Sequence, residues 1–484
     1  MSSTSAATGF CRVTVVAPDS RIDVALPDDI AVADVYPEIL RLTGQTQPVG
    51  TPTGYHLVRR DGTVLDGART LAAHRVLDGE LLSLRPFAES LPPAVHDDVT
   101  DAVADAVTRD RALWDDGLLR MAGLFGGPLL LALMGLALWF ADPVRHDMSG
   151  VPGAVAAAVG VLLTALAAVR ARVYDDRGSA VALGLAALPH LMIAGSGIVA
   201  PGAGESAGRL QFLLGCAAVL VASAVLVAAV PTGDAPFVAA VTAAATGTLA
   251  AFGTILADTA PTGAAAVCAV LAIGAIAFLP GLSARVARLP IGYAAPRSAT
   301  GADPDASAAG RADDPIDAER IAARVRRGHE LLLGLVGGCA AVVTVASAVL
   351  AFSDDGRPWA RLLALVAGLT MLLRARLFRY TAQVTTVLGA GLAALALLVL
   401  GMAVNTPAAA AGGSQDIRTL WLAAAVTVGG GLLTAVALIV PRKGLSPFWG
   451  RASDIAESAL LLALVPLCLA VLDMYGTARG LSAG

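Results

Sequence analysis

The sequence predicts a polytopic α-helical membrane protein that carries a small α+β domain at its amino terminus. Three observations predict it. The 484 residues are 56% hydrophobic and only 15% charged, against about 25% charged in average soluble domains, and the mean hydropathy is +0.72. The charge is uneven: residues 1–117 hold 28 charged residues, about 24%, and 281–328 hold 14, about 29%, whereas the other 319 residues hold 30, about 9%. The charge-poor portion divides into eleven apolar runs, most of them near the roughly 20 residues that cross about 30 Å of hydrocarbon. This composition excludes a disordered tail protein, a nucleic-acid binder and an ordinary soluble enzyme.

Residues 1–9 are small and polar and are expected to be disordered; without a basic start or an apolar run they are not expected to form an export leader. Residues 10–86 read as a compact domain. Arg12–Ala17 and Arg21–Leu26 are β-branched runs joined by the turn Pro18-Asp19-Ser20. Val32–Leu42 follows as a helix, with Val35, Ile39 and Leu42 at helical spacing, Pro37 early enough to be tolerated, and Gly44 as its stop. Then come Tyr55–Arg59, an Asp61-Gly62 turn, Val64-Leu65, and a closing run Asp78–Arg85. This ββαββ order resembles ubiquitin, a β-grasp fold. Pro86 stands where a conjugating Gly-Gly end would be, so the domain reads as a binding module.

Residues 87–117 read as a linker helix. Val95, Val99, Val103 and Val107 recur every four residues, with Asp97, Asp98, Asp101 and Asp105 on the other side. The valine stripe suits either a partner or the preceding domain. Residues 1–117 carry a net charge of −8, which suits a basic partner face as well as simple solubility.

The apolar runs are 118–140, 151–169, 179–200, 210–230, 236–257 and 261–280, six spans within 118–280, then 331–352, 358–373, 381–403, 418–440 and 455–475, five spans within 329–484. Between the two sets lies the cytoplasmic loop 281–328, rich in Ala, Gly, Asp and Pro in its middle and helical from Ile316 to Glu330. With the amino terminus inside, the inner segments hold seventeen Arg and Lys and the outer ones six. The positive-inside rule therefore expects a cytoplasmic amino terminus and an extracytoplasmic carboxyl terminus.

The chemistry-bearing residues are sparse. Lys443 is the single lysine and follows Arg442, so the Gly-Lys of a P-loop is missing from the sequence. Cys11, Cys216, Cys268, Cys339 and Cys468 show no CxxC spacing, and the six histidines form no HExxH. No catalytic, cofactor-binding or metal-binding residue is therefore predicted, and the protein is not read as an enzyme. Asp258, Glu457 and Asp473 fall near span ends and read as interfacial charges. His190, after Pro189 in mid-span, is either a proton relay or a ring bonded to a neighbouring carbonyl. Gly123 with Gly127, and Gly334 with Gly338, have the spacing of helix-packing motifs, within the chain or between chains.

The order of parts, a ubiquitin-like domain, a linker helix and eleven spans, resembles the EccD family. This is the integral membrane component of the type VII (ESX) secretion systems of actinobacteria, whose GC-rich coding agrees with 33 of 34 basic residues being arginine. The segments "RVTVVAPDSRIDVALP" at 12–27, "LDGELLSLRP" at 77–86, "LWDDGLLR" at 113–120, "PWARLLALVAGLTMLLRARLFRY" at 358–380 and "SPFWGRASDIAES" at 446–458 are similar to that family. The resemblance implies a place in the cell membrane beside the EccB, EccC and EccE subunits, EccC being the FtsK/SpoIIIE-type ATPase. It also implies a dimer with a second copy around membrane lipids, a ubiquitin-like domain that touches EccC, and no catalytic residue. The competing expectation is a secondary transporter of a small solute with a regulatory cytoplasmic domain.

Overall fold

A computed structural model describes residues 9–18, 20–45, 54–86, 99–100, 103, 115–231, 233–288, 318–353, 358–405, 412–443 and 446–476. The chain divides into two compact units, residues 1–114 and 115–484. Of the expected linker helix, only residues 99, 100, 103 and 115–117 are among those described; the rest of the valine stripe lies outside them.

The first unit is a β-grasp domain. Strands β1 (Phe10–Val16) and β2 (Arg21–Pro27) form an antiparallel hairpin whose register runs from Phe10 opposite Pro27 to Val16 opposite Arg21. Period-two alternation turns Cys11, Val13 and Val15 inward. Helix α1 (Val32–Leu42) lays Val32, Val35 and Ile39 on that face. It ends where Thr43 Oγ1 donates to the Ile39 carbonyl and Gly44 takes a φ of +69°, a left-handed value that glycine adopts without a Cβ clash. Strands β3 (Tyr55–Arg59) and β4 (Leu81–Pro86) pair antiparallel, and β4 joins β1 in parallel, which gives the order β2-β1-β4-β3. The parallel central pair needs a crossover, and α1 lies within it. Val64 forms an isolated bridge to Val58 rather than a strand. Leu57, Leu65, Leu71, Leu82 and Leu84 complete the core.

The second unit is all-helical: α2 (Asp116–Trp139), α3 (Val151–Arg172), α4 (Arg177–Ser196), α5 (Arg209–Ala229), α6 (Ala235–Leu256), α7 (Pro261–Ile276), α8 (Leu279–Val286), α9 (Ala318–Phe352), α10 (Pro358–Arg374), α11 (Thr381–Val404), α12 (Gly412–Lys443) and α13 (Pro447–Val471). Ten of the eleven apolar runs each fall on one of these helices, and the run 261–280 covers α7 and the start of α8. Among the described residues, nine helices are long and apolar enough to cross a membrane, and α7 with α8 make a tenth crossing if counted as one bent span. The remaining run is α10, whose 17 residues reach about 26 Å.

The run 261–280 is not a single rod. It breaks after Ile276 and α8 turns away by 64°. Pro280 explains the break: without an N–H it cannot continue the α7 ladder, but it fits the start of α8, where no donor is required. In contrast, the charged stretch before the seventh run does not stop at the membrane. It is continuous with the span in the 35-residue α9.

Hydrogen bonds show which helix ends lie together. At one end of the bundle, Arg172 at the close of α3 donates to the Ala228 and Ala229 carbonyls of α5. At the same end Arg324 of α9 donates to Arg288 O just after α8, and His329 of α9 packs edge-on against Tyr380 before α11 at 4.2 Å. At the opposite end, Asn405 Nδ2 after α11 donates to Phe352 O of α9, and Leu472 after α13 lies against Gly263 of α7. The largest core cluster is built on α7, α9, α10, α11 and α13, with Val336, Val343, Leu350, Leu363 and Met371 fully buried. Helix α12 stands apart, with none of its most apolar window covered by the chain itself.

Candidate functional site

Polar chemistry in the helical unit gathers as ion-paired clasps at helix ends and on the charged flanks of the apolar runs. Asp176 caps α4, accepting from Ser179 N and Ser179 Oγ, and also pairs with Arg120 of α2. One residue on, Arg177 reaches Glu330 of α9 at 2.6 Å. Glu330 also accepts from Gly233 N in the turn before α6. Gly233 has a φ of +77°, and a Cβ there would stand 2.0 Å from Arg177 Nε, so the clasp requires glycine at this turn.

Asp234 follows, its side chain 1% exposed, and Arg327 Nη1 donates to both of its carboxylate oxygens at 2.7 Å. Exposed ion pairs contribute about 0–1 kcal/mol. A carboxylate this buried differs in kind, because removing its cation leaves a charge without solvent. The clasp joins α4, α6 and α9, which are far apart in sequence.

A second clasp joins α10 to α13. Arg374, 6% exposed, meets Glu457 at 3.3 Å, while Arg376 meets Asp454 at 2.9 Å and Glu457 at 3.5 Å. At the opposite end of the bundle, Arg209 of α5 pairs with Asp258 at 2.7 Å and donates to Thr254 O of α6. Arg418 of α12 donates to the Met402 and Asn405 carbonyls that close α11, where a cation suits the helix C-terminus. Asp258 and Glu457, read from the sequence as interfacial charges, are thus held in ion pairs, Asp258 just after α6 and Glu457 within α13. Asp473 sits in the turn after α13 with a φ of +56°. His190 is fully buried in α4, and its Nδ1 bonds the Ala186 carbonyl at 2.9 Å.

The two glycine motifs stand in different surroundings. A Cβ on Gly334 would lie 2.5 Å from Val238 Cβ, and one on Gly338 would lie 2.4 Å from Thr242 Cβ, both of α6. Around Gly123 and Gly127 of α2, nothing stands within 4 Å of an added Cβ. The five cysteines are free thiols, four of them buried. Among the described residues, no group of three His, Cys, Asp or Glu side chains could hold a metal ion.

In the β-grasp domain the closing strand is tied down by its own turn. Asp78 Oδ1 accepts from Arg12 N and Gly79 N donates to Arg12 O, both at 2.6 Å, while Arg59 pairs with Glu80 at 3.0 Å. Tyr36 Oη accepts from Leu57 N, and burial pushes its phenol above the usual range. Burial, with Asp78, Glu80 and Asp28 nearby, raises the Cys11 thiol.

These two units match two known protein families. The model of the EccD-like transmembrane domain matches residues 119–481. The chain belongs to the EccD family. The β-grasp domain matches YukD, a protein of the WXG100 protein secretion system, over residues 10–84. Among curated relatives, the ESX-4 secretion system protein eccD4 of two Mycobacterium tuberculosis strains is 27% identical over 507 residues, covering 98% of this chain and 98% of the relative. Protomer 1 of the ESX-3 core complex aligns with a TM-score of 0.58 at 21% identity, over 97% of this chain and 100% of that one. A chain of the MycP5-free ESX-5 inner membrane complex aligns at 0.52 and 21%, over 87% and 99%. At that identity the likeness concerns the fold alone.

The sequence pointed to the glycine pairs but not to the clasps. Arg177, Arg327, Glu330 and Arg374 read individually as loop or flank charges. Asp234 carried a usable signal, since an acidic residue two positions before Pro236 marks a helix start.

Proposed function

We propose that this EccD-family chain is the structural membrane component of a type VII secretion machine, scaffolding the inner-membrane complex and docking the cytoplasmic ATPase through its ubiquitin-like domain. The observation that carries this reading is the joining, in one chain, of a YukD-like domain at 10–84 to an EccD-like membrane domain at 119–481. The relatives found in ESX core and inner-membrane complexes support it.

In this reading the amino-terminal domain lies in the cytoplasm and the carboxyl terminus outside. The end of the bundle that gathers Arg120, Arg172, Arg177, Arg327, Arg374 and Arg376 supports that orientation, because basic residues favour the cytoplasmic side. The role is structural, and the energy for export comes from the EccC ATPase. EccB and EccE are the other membrane partners, with a second copy of this chain. The uncovered faces of α2 and α12 offer surface for such contacts with subunits or membrane lipids.

Pull-down of the ATPase by the isolated 1–117 portion tests the docking. Binding at low and moderate salt that weakens as salt rises is expected, since the domain is acidic and charges more than about 8 Å apart are screened at 0.15 M. No binding at either salt would remove the docking role.

A further inference from the structure

Helix α8 runs across the membrane spans rather than along them. Its axis departs from that of α7 by 64°. The 16 residues of α7 rise about 24 Å, somewhat less than the roughly 30 Å of a hydrocarbon core. The turn into α8 therefore comes close to the boundary between acyl chains and headgroups.

The helix has two unlike sides. Leu279, Ser283 and Ala287, each four residues on from the last, are buried and face the bundle. Phe278, Leu282 and Val286 repeat at the same interval but are 76%, 48% and 59% exposed. At about 100° per residue this apolar stripe stands roughly 100° around from the buried side, and Arg285 borders it on the side away from the bundle.

Basic groups gather beside the stripe. Arg285 and Arg288 are exposed, and among the described residues neither side chain enters an ion pair or a hydrogen bond. Arg324 of α9 donates through Nη1 to Arg288 O at 3.3 Å, which brings a third guanidinium to the spot. Arg288 itself has a φ of +51°. That left-handed position just past a helix end is usually glycine. An arginine holds it at a cost, and its guanidinium is what glycine would not supply.

An apolar row beside unpaired arginines, near headgroup depth, matches a lipid with an anionic head. A free anion would use the arginines and leave the stripe bare. A zwitterionic lipid would bring its own cation to them. We propose that α8 is an interfacial helix that seats an anionic phospholipid, its phosphate on Arg285, Arg288 and Arg324 and an acyl chain along Phe278, Leu282 and Val286. This goes beyond the scaffolding role and does not depend on it.

The test measures retention of dioleoylphosphatidylglycerol and dioleoylphosphatidylcholine by the purified full chain in detergent, using native mass spectrometry. The anionic lipid is expected to be held more tightly than the zwitterionic one. Arg285→Gln/Arg288→Gln should weaken it by about fivefold for each arginine removed. Arg170→Gln/Arg451→Gln takes the same charge from exposed arginines of α3 and α13 and should leave retention nearly unchanged. Leu282→Asn/Val286→Asn should weaken the anionic lipid although it removes no charge. Equal retention of the two lipids by the unaltered chain would overturn the proposal without any variant having to fold. So would a loss no greater in Arg285→Gln/Arg288→Gln than in Arg170→Gln/Arg451→Gln, which would leave the α8 arginines to an acidic protein segment.

Discussion

Adding one methyl group at Gly338 should destabilise the helical unit, whereas the same change at Gly127 should not. A Cβ on Gly338 would stand 2.4 Å from Thr242 Cβ and 2.9 Å from Ala239 O; on Gly334 it would stand 2.5 Å from Val238 Cβ and 2.8 Å from Ala235 O. Carbon atoms pack best at about 3.5–4.0 Å, so α6 and α9 must separate by about 1 Å. Overpacking of that kind costs about 1–3 kcal/mol. Alanine also gains up to about 1 kcal/mol of helix propensity over glycine, and that gain is common to all four glycines. The difference between Gly338→Ala and Gly127→Ala therefore isolates the steric term, about 1–3 kcal/mol. Thermal unfolding of the full chain in detergent reads it, with Gly334→Ala and Gly338→Ala melting below Gly123→Ala and Gly127→Ala. If the two sets melt alike, the close α6–α9 approach is wrong. If Gly123→Ala and Gly127→Ala keep stability but reduce cross-linking between copies, the α2 motif packs between chains.

Three further outcomes follow from the same geometry. Arg327→Ala leaves the buried Asp234 carboxylate without its cation; the loss, about 3 kcal/mol, should appear as a lowered melting temperature, with much of it recovered in the Asp234→Leu/Arg327→Leu pair. Ile39→Ala empties the centre of the β-grasp core and should cost about 2–5 kcal/mol, read by denaturant unfolding of the amino-terminal unit. Cys11 has a thiol raised in the fold above an unfolded value near 8.5. Its contribution to stability is complete below that value and falls as pH rises through the folded one, so stability should decline above about pH 8.5 and Cys11→Ala should remove that decline.

Much of the fold was legible because it rests on patterns that a single segment carries. The hairpin Phe10–Pro27 and helix Val32–Leu42 follow from alternation and helical spacing, and every apolar run but 261–280 found a single helix. The bend after Ile276 was less visible. Pro280 was on the page, but an apolar run keeps its composition through a break, and only the lost backbone donor marks it. The clasps were illegible for another reason. Arg327 and Asp234 are 93 positions apart, and Arg374 and Glu457 are 83 apart. A charge beside a span looks the same in sequence whether it meets water or a partner from another helix.

The central claim is that this chain frames a type VII inner-membrane complex and holds the ATPase through its β-grasp domain. Affinity purification of the full chain from its native membrane, beside a version lacking residues 10–86, tests it most directly. The account predicts that the full chain brings down EccB, EccC and EccE, and that the shortened chain keeps EccB while losing most of the EccC. A full chain that purifies without these subunits, or a shortened one that retains EccC undiminished, would contradict it.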